Sequence, residues 1–169
     1  MSRRSRSRAV ALQILFQDDL NPCDPPADSE PFLNQRLQAD DLICFSRDLV
    51  QGVREHRNNL DGILEPLAEH WSLSRMATAD RNILRLATFE MLYLSTPYQI
   101  AIDEGIELAK RFGTAQSSQF INGILDRVWQ KNAHRSKSGN QGDGEPQSVQ
   151  DTACEVADPE VQSDSDLSD

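Results

Sequence analysis

Apolar residues recur at helical spacing from residue 5 to residue 132, and strict two-residue alternation is absent. Strands that pack one face on a core need that alternation. A chain without it must bury stripes of helices against one another. Ala11, Leu12, Leu15 and Phe16 share one face of a helix expected over residues 5–20. Pro22, Pro25 and Pro26 stop it, and residues 21–31 read as a loop. A short helix is expected near Pro31. A longer one after Asp40 groups Leu42, Phe45, Leu49 and Val53. Leu60, Ile63, Leu64 and Leu67 indicate a further short helix, distorted by Pro66.

Residues 75–94 are the most apolar stretch. Ile83, Leu84, Ala87, Met91 and Leu94 cover one face, and Leu86, Phe89 and Tyr93 cover a second. A helix apolar on two faces is central to its fold. Glu90 falls between those faces, where a carboxylate needs a partner, most naturally an arginine. After Pro97, Ile102, Ile106 and Ala109 form an amphipathic helix with Gly113 as its expected C-cap. Ser117 is the expected cap of a last helix with Ile121, Ile124, Leu125 and Val128 in its stripe. The sum is an all-α bundle of about seven helices.

Charge divides the chain into blocks. Residues 133–169 carry nine acidic and two basic side chains and no aromatic, a net charge of −7. Such a segment cannot offset its ordering entropy by apolar burial, so it reads as a disordered acidic tail behind a domain over residues 1–132. Without it the remainder carries only −3, and its first eight residues hold Arg3, Arg4, Arg6 and Arg8 with no acid. A local cluster of that sign attracts anions whatever the global balance. No apolar run reaches the roughly 18 residues of a membrane helix, and no signal-peptide core follows the basic start, so a cytoplasmic location is expected. Cys23, Cys44 and Cys154 share no metal-ligand spacing, and His56, His70 and His134 are scattered. No motif reads as a catalytic constellation, so an enzyme is not expected.

Two clusters exceed what packing needs. Arg6, Gln13 and Gln17 share a polar face of the first helix, while Arg4 and Arg8 fall on the sector of Leu15. A core cannot hold two unpaired arginines, so the first turns must project past the bundle or stay unwound until a ligand orders them. Arginine forks pair with phosphates, and Arg-rich segments fold on RNA. Phe120, among Gln116, Gln119, Gly123 and Arg127, sits at the margin of the last stripe, and Phe112 follows Lys110 and Arg111. Such aromatics either close the bundle or stack single-stranded bases whose edges glutamines can read.

The runs DRNILRLATFEML (80–92), PYQIAIDEGIELAKRFG (97–113) and SxxFINGILD (117–126) resemble the NusB family, as does the Arg-rich start leading into ALQILFQ (11–17). The resemblance spans residues 3–130. It implies two three-helix subdomains with an additional helix. It also implies a transcription antitermination factor that binds boxA-type single-stranded leader RNA together with NusE, a small-subunit ribosomal protein. That complex promotes RNA polymerase read-through in ribosomal RNA operons, with no cofactor. Carried over by position, the RNA contacts fall on Arg4, Arg6, Arg8, Gln13, Phe16, Asp80, Arg85, Phe112, Gln116, Gln119 and Phe120. Ser5 interrupts the arginine run, Gln116 stands where an acidic residue is frequent, and Asp103 and Gly105 replace a frequent Asn and Ala. Self-association into a homodimer is left open. Two rivals are a methyltransferase RNA-binding domain, which needs a Rossmann-like partner domain, and a helical interaction module indifferent to its arginines.

Overall fold

The computed structural model describes residues 3–23, 25–68 and 72–138, with backbone alone for 133–138. The described residues form seven α-helices and no strand. They are α1 (Arg3–Leu20), α2 (Glu30–Arg36), α3 (Asp40–Glu55), α4 (Arg57–Leu64), α5 (Thr78–Leu92), α6 (Tyr98–Phe112) and α7 (Ser117–Ser138). One subdomain is α1 and α2 with α3. The other is α5, α6 and α7, and α4 is the additional helix between them. As its two apolar faces require, α5 is central, packing on α1 and α3 as well as α4, α6 and α7.

The helix breakers act where the sequence places them. Pro31 sits in the first turn of α2, where its missing N–H costs nothing. Pro66 ends α4 in a single 3₁₀ turn, Glu65–Leu67. Two expectations, for Leu94 and Ser117, are overturned. The chain leaves α5 at Leu92, and with Ser95 at φ 51° beyond it, Leu94 is 38% exposed instead of in the core. Gly113 is the C-cap of α6, as expected, with extended backbone and its N–H bonded to the Ala109 carbonyl at 2.9 Å. Its role is closeness: a Cβ there would meet the Ser117 side chain at 2.6 Å and the Ala109 carbonyl at 2.7 Å. Ser117 does not cap α7. Its hydroxyl accepts the Thr114 N–H at 2.8 Å and donates to Asp80 Oδ2 at 3.0 Å, tying α7 to the start of α5.

A second glycine is set by packing. A Cβ on Gly52 would strike the Phe89 ring, so the absence of a side chain is what lets α3 seat on α5. The α7 backbone is helical to Ser138, six residues past the expected domain boundary. Residues 139–169, and so most of the acidic segment with Cys154, lie outside the described residues. No described helix is long and apolar enough to cross a membrane.

Candidate nucleic-acid interface

The first turns of α1 neither project past the bundle nor unwind; they are helical from Arg3 onward. Arg8 is 4% exposed. Its Nε and Nη2 donate to both carboxylate oxygens of Glu90, at 2.7 and 2.6 Å. Glu104 lies 3.6 Å from Nη1. Burial by itself lowers the guanidinium pKa, but the hydrogen bond and charge of Glu90, with the charge of Glu104, raise it overall. Arg8 is thus the partner that buried Glu90 requires. It lies in the core and not on the surface, which separates it from Arg4 and Arg6.

Those two are exposed. The Arg4 guanidinium rests over the Phe45 ring, 5.1 Å from its centroid, and Arg8 approaches the same ring at 5.2 Å. Arg6 donates to the Arg36 carbonyl at 2.8 Å and so abuts the end of α2. Gln13 lies two turns further along α1, about 10 Å at 1.5 Å per residue. There a groove of about 500 Å³ opens, lined by Gln13, Phe16, Phe32, Arg36, Ala79 and Phe112 among others. It is bounded by α1, α2, the start of α5 and the end of α6.

A second groove, about 320 Å³, flanks the same α5 start on its other side. Arg75, Asp80, Thr114, Gln116, Ser117 and Phe120 are among its walls. Phe112 and Phe120 are half-buried and packed against the core, so each seats one side in the bundle and turns another to a groove. Gln119 is exposed in the first turn of α7, and exposed Gln116 immediately precedes that helix. Asp80 is 9% exposed: Oδ2 is held by Ser117, while Oδ1 has no hydrogen-bond partner.

Arg85, the remaining candidate, is 3% exposed and faces inward. It grips Asp61 through two hydrogen bonds of 2.7 Å and lies 3.2 Å from Asp19. Asp19, whose side chain is 2% exposed, also meets Arg81 at 2.7 Å and Arg57. Burial by itself raises the Asp19 pKa. The Arg81 hydrogen bond and the charges of Arg85, Arg57 and Arg81 overcome it and hold the carboxyl below its ordinary value. This network fastens α1 to α4 and α5.

Of the expected residues, Arg4, Arg6, Gln13, Phe16, Phe112, Gln116, Gln119 and Phe120 therefore reach the surface or its grooves. Arg8 and Arg85 do not, and Asp80 is at the base of one groove. The expectation missed Phe32, Arg36, Phe45 and Arg75. Phe45 carried a signal, lying on the α3 stripe that faces the arginines. The others are placed only by the packing of separate helices. No described group of three His, Cys, Asp or Glu side chains could hold a metal.

The sequence profile of the NusB family matches residues 5–130. A transcription antitermination protein NusB of Desulfosudis oleivorans is 43% identical over 132 residues, 76% of this chain and 86% of the relative. That of Geobacillus kaustophilus is 41% identical over 127 residues, 75% of this chain and 95% of the relative. Among solved structures, T. maritima NusB superposes with a TM-score of 0.68 at 36% identity, covering 82% of this chain and 97% of that one. The fold is also shared, at a TM-score of 0.70 and 22% identity over 78% of this chain and 98% of that one, with a structure of the antitermination factors NusB and NusE in complex with double-stranded RNA. Profile, relatives and fold agree over the part of the chain that carries the grooves: the chain belongs to the NusB family of transcription antitermination proteins.

Proposed function

We propose that this protein binds boxA-type single-stranded leader RNA together with NusE and promotes RNA polymerase read-through in ribosomal RNA operons. The observation that carries the reading is one strip of surface. Exposed Arg4 and Arg6 stand in the first turn of α1, one aromatic-walled groove opens further along that helix, and a second flanks the start of α5. Guanidinium forks suit phosphates, while Phe16, Phe112 and Phe120 offer ring faces to unstacked bases, and Gln13, Gln116 and Gln119 offer amides to base edges. A duplex hides its base faces, so grooves of this kind favour a single strand. That the fold also occurs in a NusB bound to NusE and RNA supports the same partners here.

Replacing Arg4 and Arg6 together with alanine tests the reading. Affinity for a boxA-type single strand should fall, and the salt slope should flatten by about 1.4, or about 0.7 for each phosphate that is no longer neutralised. Circular dichroism should be unchanged, because both side chains are exposed. An unaltered slope would remove the arginines from the site.

Phe120→Ala separates stacking from packing. It should cost about 1–3 kcal/mol in single-strand binding if a base stacks on the ring. A loss confined to thermal stability, with RNA affinity retained, would assign the ring to the bundle alone.

A further inference from the structure

The first turn of α1 is poorly suited to forming on its own. It contains Arg3, Arg4 and Arg6 and no acidic residue, and cations at a helix N-terminus oppose the helix dipole. A cationic end turn without such compensation frays. Here it is fastened on two sides. Towards α3, Ser7 Oγ donates to the Leu42 carbonyl at 3.0 Å, and Ser46 Oγ donates to the Ser7 carbonyl at 3.1 Å. Towards α5 and α6, Arg8 forks onto Glu90, and Ser5 Oγ donates to Glu104 Oε1 at 2.7 Å. Glu104 Oε2 faces Arg8 Nη1 at 3.6 Å. One α6 carboxylate therefore touches both residues, Ser5 and Arg8, that bracket Arg6 in the sequence. Arg4, one helical turn before Arg8, shares its Phe45 platform.

For attracting RNA, Glu104 is the wrong charge. Glu90 already matches Arg8, so Glu104 leaves this cluster net negative directly beneath the phosphate-seeking arginines. Its geometry, and not its field, is what favours a role in binding.

We propose that Glu104, Ser5 and Arg8 are positioning residues for RNA: they hold the first turns of α1 as preformed helix, so that Arg4 and Arg6 meet phosphates without first being ordered. The proposal rests on the RNA reading above. It also accounts for Ser5 within the arginine run, since that position points at Glu104 and is 7% exposed. An arginine there would add a long side chain where α1 meets α6.

The test uses the full chain and a short boxA-type RNA single strand. Glu104→Ala and Glu104→Gln both remove the negative charge, but only glutamine keeps an acceptor for Ser5. Glu104→Ala should weaken binding about tenfold, the scale of ordering one or two long side chains on binding. Glu104→Gln should stay near the parent or bind more tightly. Ser5→Ala, which breaks the same hydrogen bond without changing charge, should reproduce the loss. Amide exchange in residues 7–11, whose N–H groups bond to the carbonyls of the first turns, should quicken in both alanine variants while that of α5 and α7 does not. In the Arg4→Ala/Arg6→Ala background, Glu104→Ala should cost nothing further, because the helix it holds then presents nothing. Tighter or unchanged binding by Glu104→Ala and Ser5→Ala would overturn the proposal, as would a loss that persists undiminished without the arginines. If removing Arg4 and Arg6 leaves RNA binding unaltered, it is the RNA reading itself that fails.

Discussion

Glu90→Ala will destabilise the protein by about 3–5 kcal/mol, the scale on which half a buried ion pair is lost. The Glu90 side chain is 1% exposed and that of Arg8 is 5%. Removing the carboxylate leaves a guanidinium in the core with only Glu104, 3.6 Å away, to face it. Thr96 also loses the carboxylate that its hydroxyl approaches at 3.4 Å. Urea unfolding should show the midpoint falling with little change in slope, since the surface exposed on unfolding is nearly the same. Arg8→Ala should cost a similar amount by orphaning Glu90. The double replacement Arg8→Met with Glu90→Met should recover much of either loss, because apolar residues of similar volume leave no unpaired charge between them. If either single change proves nearly neutral, the pair is not the fastening of α1 to α5 that its geometry indicates.

Asp19 is the second point where one side chain holds several helices. Asp19→Ala leaves Arg81 and Arg85 facing each other and Arg57 without its anion, and a loss of about 3–5 kcal/mol is expected. The same carboxylate makes the fold acid-sensitive in a defined direction. Its pKa in the folded state is depressed below the ordinary 3.8. Its contribution is therefore complete above that value and is lost as pH falls through the lower folded pKa. Stability measured from about pH 5 downward should decline more steeply in the parent than in Asp19→Asn, with the two curves converging at the acid end. Parallel curves would mean that Asp19 titrates alike in the folded and unfolded chain.

Helix existence was legible in the residues because each helix writes its own period. The stripe Ile121, Ile124, Leu125 and Val128 is buried along its whole length, and the two-sided pattern of residues 83–89 marked α5 as the central helix. Proline positions set several of the ends. The exposed arginines, glutamines and margin aromatics were legible for the same reason, as residues that a stripe cannot absorb.

Periodicity says which way a side chain points around its own axis. It carries no information about what stands opposite in another helix. The need of Glu90 for an arginine could thus be stated from the sequence alone, but its supplier could not: Arg8 lies 82 positions earlier and arrives only because the start of α1 packs beside the end of α5. The same blindness put Arg8 outside the core, and the family resemblance named Arg85 by position alone; the carboxylates that draw the two inward, Glu90, Glu104, Asp19 and Asp61, belong to other helices. The sequence by itself determined an all-helical bundle with a cationic end and aromatic margins. Only the tertiary structure decided which arginines face a ligand and which are spent inside, because burying a charge requires a partner within hydrogen-bond reach, and packing between helices supplies it.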